Sequence, residues 1–390
     1  MQLKYLTDYH ITSKRVMLRA DMNVPIKDGK VENEERIDRS LKTIKFILDQ
    51  GGKLTLVTHL GRPQESNKVQ EEFSLRPIAE CLEKKLNRPI VIEESLHALN
   101  SSKAELAMLE NIRFFDGEKR NSPQLAKELA KNCDLFVNDA FATSHRAHAS
   151  TVGVVDFVNE ACAGFLIKEE LEALENFDKA KRPIVGVLGG AKISTKLSLI
   201  SSLAKKVDFL ILGGGLANTC LGAQGKEIGS SLTEIGMYQD VKAFVDNEKI
   251  LLPSKVLVSK DKRSEVREKD VNDLTEEDCI FDVSPDFFIS LADIFNKAGT
   301  IVWNGPMGLF EEDKFSHGTL EVAKQIANSN AYSIVGGGDT ISAATKAGIL
   351  DSINYLSTAG GAFLEYLEGK SLPALLALKK KALESPKDGA

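Results

Sequence analysis

The sequence predicts an α/β protein of parallel sheets with helices on both faces, divided into two domains. Three observations predict it. Short, near-continuous Val/Ile/Leu runs alternate with helix-period segments almost throughout, as expected of parallel strands buried on both sides. The 390 residues exceed what one hydrophobic core ordinarily organises. The chemically unusual residues fall just beyond the carboxyl ends of the apolar runs, where doubly wound folds bind their ligands.

The strands are read in order from RVMLR at Arg15, KLTLVT at Lys53, PIVIE at Pro89 and DLFVND at Asp134. In the second half they are PIVGVLGG at Pro183, VDFLILGG at Val207, KVLVSK at Lys255, TIVWNG at Thr300, YSIVGG at Tyr332 and NYLSTA at Asn354. Helices lie between them, such as ERIDRSLKTIKFILDQGG, whose closing glycine pair suits a C-cap. The stretch AGFLIKEELEALENFDKAKRP reads as one long charged helix with a Lys-Arg-Pro break, and its polar character suits a bridge between two halves. The boundary is placed there, with 1–168 before it, 183–371 after it and 169–182 as the bridging helix. The tail SLPALLALKKKALESPKDGA is amphipathic at first and must dock its Leu face.

Composition narrows the function classes. At 43% hydrophobic and 27% charged the chain is an ordinary globular one. No apolar run approaches the ~20 residues of a membrane span, and MQLKYLTDYHITSKR lacks the apolar centre of a secretory signal. Five scattered cysteines without a C-x-x-C suit a reducing cytoplasm better than a disulfide framework or zinc site. A net charge of −6 argues against general nucleic-acid binding.

The two halves differ in chemistry. The first carries Arg36, His59, Arg62, Arg113, Arg146 and His148 in or beside loops. One loop arginine is ordinarily a solvated surface charge. Several at strand ends converge on one face and favour a small, highly anionic substrate, because guanidinium grips carboxylate and phosphate. HRAH lacks the neighbouring ligands of a metal site, so a histidine here reads as a hydrogen-bond donor to an anion. Asp21 and Asn23, in RADMNVP, either orient a substrate hydroxyl or form a turn ahead of Pro25.

The second half carries glycine loops after strands, LGGAKISTK, LGGGLANT, NGPMGLFEE and IVGGGDTISAAT. Such loops suit a nucleotide laid against backbone and a helix N-terminus. Lys192 and Lys196, four residues apart, are expected to point the same way on the first helical turns. Asp339 suits a nucleotide-bound magnesium, since Mg²⁺ takes carboxylate and phosphate oxygens; N-capping by Asp339 or Thr340 is the simpler role. There is no Walker A loop, protein-kinase motif set or G-x-G-x-x-G fingerprint. A dinucleotide dehydrogenase therefore lacks its signature. A non-catalytic nucleotide- or RNA-binding module would not need both residue sets.

Taken together, RADMNVP, THLGRP, LENIRF, VNDAFATSHRAHAST, LGGAKISTK, LGGGLANT, WNGPMGLFE, VGGGDT and STAGGAFLEYLEGKSLPAL resemble the phosphoglycerate kinase family, in order and over essentially the whole chain. The resemblance implies two Rossmann-like α/β/α domains joined by a long helix across a cleft. It implies Mg-dependent phosphoryl transfer between 1,3-bisphosphoglycerate and ADP, in line and after domain closure, by a cytoplasmic monomer. By motif, Asp21, Asn23, Arg36, His59, Leu60, Gly61, Arg62, Arg113 and Arg146 would bind 3-phosphoglycerate on the first domain. Lys196, Gly214, Gly215, Glu311, Gly337, Gly338, Asp339 and Thr340 would bind the nucleotide on the second, with Asp339 holding Mg²⁺. Arg36 and Lys192 would act on the transferring group, and the tail 372–390 would return to the first domain. The family often has Gly at Ala359, Ser at Phe363 and Asp at Thr195.

Overall fold

Aliphatic and β-branched runs with no polar alternation can be satisfied only by burial on both faces, and they form the centres of two parallel sheets. The computed structural model describes residues 3–357 and 359–384. Residues 385–390 of the expected tail, and Thr358 of the STAGGAF turn, lie outside the described residues. The chain divides into two compact units, 1–172 with 371–390, and 173–370.

In the first unit the chain makes β1 (Arg15–Ala20), a two-strand hairpin of β2 (Ile26–Lys27) and β3 (Lys30–Val31), then β4 (Lys53–Val57) and β5 (Val91–Glu93). It continues with β6 (Leu106–Leu109), β7 (Leu135–Asp139) and β8 (Glu160–Ala163). Six of these form one sheet in the order β5-β6-β4-β1-β7-β8, every pairing parallel. The chain leaves β1 toward β4 and later returns to its other side as β7. Loops after β1 and β7 therefore diverge at one point, which is where such sheets open a crevice. Leu18, Ile37, Ile44, Leu56 and Leu82 are fully buried between sheet and helices. The helix Pro373–Glu384 also packs in this unit, buries Ala374, Leu375 and Leu378, and donates the Ala374 N–H to the Ser144 carbonyl at 3.1 Å.

The second unit contains β9 (Ile184–Leu188), β10 (Phe209–Leu212), β11 (Ile250–Leu251), β12 (Lys255–Ser259), β13 (Arg267–Asp270) and β14 (Cys279–Val283). After them come β15 (Thr300–Asn304), β16 (Tyr332–Gly336) and β17 (Tyr355–Ser357). Its main sheet runs β11-β10-β9-β15-β16-β17, all parallel. Counted within the sheet this is the 3-2-1-4-5-6 order of nucleotide-binding folds, with the switch between β9 and β15. Trp303, Val187, Ile211 and Phe295 fill its core.

Two expectations need correction. KVLVSK is not a parallel strand of the main sheet: β12 is the centre of a separate antiparallel sheet, β13-β12-β14. β13 reads REKD and is largely exposed, so hydropathy carries no trace of it. The long charged helix runs Phe165–Asp178 and is not a polar strut. Leu166, Ile167, Leu171, Leu174 and Phe177 are buried at helical spacing. Its start is set by the Asp139 carboxylate, which accepts the Ile167 N–H at 3.1 Å and the Thr43 hydroxyl. Burial pushes the Asp139 carboxyl up to about 6, against those hydrogen bonds.

Candidate active site

In the first unit, β1 and β4 deliver their carboxyl ends side by side because they are registered neighbours. The loops that follow are cross-linked. Met22 N–H donates to Thr58 Oγ1 at 3.1 Å, and Gly61 N–H donates to Asn23 Oδ1 at 2.9 Å. Asn111, fully buried after β6, holds the next stretch from below. Its Nδ2 donates to the Leu60 and Phe73 carbonyls at 2.8 and 2.9 Å, while its Oδ1 accepts the Arg113 and Leu60 N–H groups. The backbone of His59–Arg62 is thus fixed before any ligand arrives, which is what an anion site needs.

The side chains converge accordingly. Arg36 Nη1 donates to Asp21 Oδ2 at 2.7 Å, the aspartate buried and the arginine half-exposed. Arg113 Nη1 donates to the Gly61 carbonyl at 2.8 Å. Its pKa falls to about 10, first through burial and then through Arg19, Arg146 and Arg62, with Glu118 opposing. Arg62 and Arg146 are exposed, and Arg146 Nε donates to His145 Nε2 at 3.0 Å. His148 is driven down to about 4 by burial and by Arg19, Arg113 and Arg146. So many cations facing one another are a surplus of positive potential that an anion would relieve.

In the second unit, Lys196 is the centre. Its Nζ donates to the Gly189 carbonyl at 2.7 Å and to Asn304 Oδ1 at 2.6 Å, at the ends of β9 and β15. Burial lowers its pKa to about 8, only partly offset by Asp339. Asn304 also donates from Nδ2 to the Gly336 carbonyl, and Thr340 Oγ1 accepts the Gly305 N–H at 2.7 Å and donates to Gly336 at 2.8 Å. One lysine and one asparagine therefore knit three strand ends together.

The three glycines at the end of β16, Gly336 within it and Gly337 and Gly338 beyond it, serve three needs. A methyl on Gly336 would lie 2.6 Å from the Phe363 ring. Gly337 adopts φ +99, where side chains are strained. Gly338 has nothing within 4 Å and opens to solvent beside the exposed Asp339, at the start of the helix Gly338–Lys346. The N-cap is Gly337, not Asp339 or Thr340; Thr340 faces inward to the Gly305–Gly336 network instead.

Lys192 and Lys196 do not share a helical face. Lys192 is extended, an Ile193–Thr195 3₁₀ turn follows, and the α-helix begins only at Leu197. Lys192 is consequently exposed while Lys196 turns inward. Gly214 and Gly215 open the helix Gly214–Ala223, and a methyl on Gly215 would lie 2.1 Å from the Ala191 carbonyl oxygen. These glycines let that helix approach the Gly190–Ala191 turn. Glu311 lies exposed in the loop after β15 and, among the described residues, makes no hydrogen bond or ion pair with this network.

Sequence reasoning missed Arg19, Asn111, Glu118, Ser150 and Asn304. Arg19 and Asn304 had a readable signal, a polar residue interrupting or ending an otherwise apolar strand. Among the described residues no three His, Cys, Asp or Glu side chains converge as a metal site, no helix is long and apolar enough to cross a membrane, and all five cysteines are free thiols.

A family model described as phosphoglycerate kinase matches residues 6–370. Phosphoglycerate kinases of Francisella tularensis subsp. novicida (strain U112) and subsp. tularensis (strain WY96-3418) are each 43% identical over 392 aligned residues, covering 98% of this chain and 100% of the relative. The solved structure of phosphoglycerate kinase from Coxiella burnetii superposes with a TM-score of 0.90 at 44% identity, over 98% of this chain and 100% of that one. That of Phosphoglycerate Kinase from Pyrococcus horikoshii OT3 gives 0.83 at 31%, over 97% and 99%.

Proposed function

The chain belongs to the phosphoglycerate kinase family, and from that premise we propose how its two units divide the chemistry. The reaction is reversible phosphoryl transfer between 1,3-bisphosphoglycerate and ADP, giving 3-phosphoglycerate and ATP, a step of glycolysis. The bond from phosphorus to the C1 carboxyl oxygen breaks as a bond to the ADP β-phosphate oxygen forms. Charge spreads over the three equatorial oxygens, so the protein has to supply position and positive charge rather than covalent chemistry.

3-Phosphoglycerate binds the first unit, 1–168 with the tail 372–390. Arg113, Arg146 and Arg62 take its phosphate and carboxylate charge, the His59–Gly61 backbone frames it, and Asp21 and Asn23 orient its hydroxyl. The nucleotide binds the second unit, 183–371. Its phosphates meet Lys196 and the backbone N–H groups of Gly338 and Thr340 at the helix start; Gly214–Gly215 borders the base, and Glu311 takes the ribose. Arg36 and Lys192 act on the transferring group.

Asp339 would hold Mg²⁺. One exposed carboxylate beside an open glycine, with no acidic cluster around it among the described residues, fits an ion that arrives with phosphate oxygens as its main ligands. When bound, Mg²⁺ neutralises charge on the phosphates. Because neither unit carries both residue sets, transfer requires closure of the two units, through the segment 169–182, to bring their ligands in line and exclude water. One chain carries both sets, which suits a monomer, and free thiols with glycolytic substrates suit the cytoplasm.

The segregation of arginines in one unit and glycine turns with Lys196 in the other carries this reading. Thermal unfolding tests it. 3-Phosphoglycerate and Mg–ADP should each raise the midpoint, through a stabilisation of about 2.7 kcal/mol at a hundredfold excess over Kd. Arg113→Gln should abolish only the first shift and Lys196→Met only the second. Loss of both shifts in either variant, or stabilisation by NAD instead, would sink the division.

A further inference from the structure

Beneath the anion site lies a buried polar chain. Arg19, the penultimate residue of β1, is 1% exposed. Its Nε donates to Ser150 Oγ at 3.0 Å, its Nη1 to the Ala20 carbonyl, and its Nη2 lies 3.3 Å from His59 Nδ1. Ser150 in turn donates from Oγ to Glu118 Oε1 at 2.6 Å and from its N–H to Glu118 Oε2 at 3.0 Å. Glu118 is fully buried; it and Asp21 are the counter-charges of Arg19, and burial raises the Glu118 carboxyl pKa against the opposing pull of Arg19 and the two Ser150 hydrogen bonds. Every polar contact in this chain has a defined direction, because the guanidinium can only donate and the carboxylate can only accept.

That direction propagates to His59. A nitrogen facing a guanidinium N–H must present its lone pair, so Nδ1 carries no proton. The ring is 4% exposed, and the charged or titratable groups around it are Arg19, Arg113, Arg36 and His148. Burial first, then those cations, hold the imidazolium form well below its ordinary range. A doubly protonated ring would also point Nδ1–H at the Arg19 guanidinium.

We propose that His59 serves the anion site as a neutral Nε2–H donor, its tautomer fixed by Arg19, which Ser150 and Glu118 hold in place. The site's positive charge then comes from its arginines, and His59 supplies direction. Arg19 is a positioning residue here, acting through His59. The identity of the anion rests on the 3-phosphoglycerate reading above; the tautomer does not.

The test is ¹⁵N NMR of the full chain labelled in its histidine rings. Wild type should show Nδ1 unprotonated and Nε2 protonated from pH 6 to 8; a charged ring or an Nδ1–H tautomer at pH 7 would overturn the proposal. Arg19→Lys keeps the charge facing Glu118 but loses the fork, so a mixture of tautomers is expected. Should Arg19→Lys fail to fold, Ser150→Ala is read the same way, and an unchanged single tautomer would refute the lock. A glutamine amide nitrogen reaches the Nε2 position and an asparagine one does not. KM for 3-phosphoglycerate should therefore rise about tenfold more in His59→Asn than in His59→Gln; equal rises would refute the donor role. Absence of turnover with 3-phosphoglycerate, alongside the expected NMR, would overturn the substrate reading and support the tautomer.

Discussion

Raising the pH from 7 to 9 strips the charge from Lys196 before it reaches an ordinary lysine. Its ammonium is held by two neutral acceptors, the Gly189 carbonyl and Asn304 Oδ1, and burial brings its pKa from 10.5 to about 8. With that pKa it is about nine-tenths charged at pH 7 and about one-tenth charged at pH 9. If nucleotide binding needs the ammonium, Kd for Mg–ADP should rise about tenfold across that interval, and binding at pH 8.5 should take up about 0.8 proton. The phosphate groups, with a second pKa of about 6, stay ionised above pH 7. Calorimetric titration in two buffers of different ionisation enthalpy reads both quantities. Lys196→Arg keeps its charge and should show neither effect. A wild-type Kd equal at pH 7 and 9, without proton uptake at 8.5, would refute the reasoning. Stability moves the other way. Below pH 8 both folded and unfolded chains carry the charge; between about 8 and the ordinary 10.5 only the unfolded chain keeps its proton, so the folded state gains with rising pH.

Two further outcomes follow from the scaffold. Asn111→Ala removes donors to Leu60 and Phe73 and an acceptor for Arg113 in a fully buried place. Urea unfolding should show a loss of about 2–3 kcal/mol, together with a higher KM for 3-phosphoglycerate. Gly215→Ala would drive a methyl to 2.1 Å from the Ala191 carbonyl, backbone against side chain with no flexible group to yield. About 1–3 kcal/mol of destabilisation is expected, with weakened Mg–ADP binding by calorimetry as the Lys192 turn shifts.

The parallel sheets were legible because strands buried on both faces are apolar without interruption, as in FLIL of β10 and TIVWN of β15. The exposed β13 and the two-residue β11 were not, since neither has a hydrophobic period to read. In the site, the loop arginines and glycine turns announced themselves by composition. What holds them did not. Asn111 and Asn304 each bridge segments distant in sequence, 51 residues from Leu60 and 108 from Lys196, and such partners are fixed only by the fold. The Lys192–Lys196 spacing misled for a local reason. The i,i+4 rule presumes a continuous α-helix, and a 3₁₀ turn intervenes. Phe363, where the family often has Ser, proves to be a fully buried ring under Gly336, a packing role that no local pattern signals.

The division of labour between the two units is tested most directly by single-turnover transfer from Mg–ATP to 3-phosphoglycerate, with both ligands saturating, in wild type, Arg36→Ala and Lys192→Ala. Wild type should transfer the phosphoryl group, and each variant should lose about a hundredfold or more in rate while still binding both ligands. Full transfer rates in either variant, or a wild type that hydrolyses ATP rapidly without 3-phosphoglycerate, would contradict a charge clamp assembled from the two units.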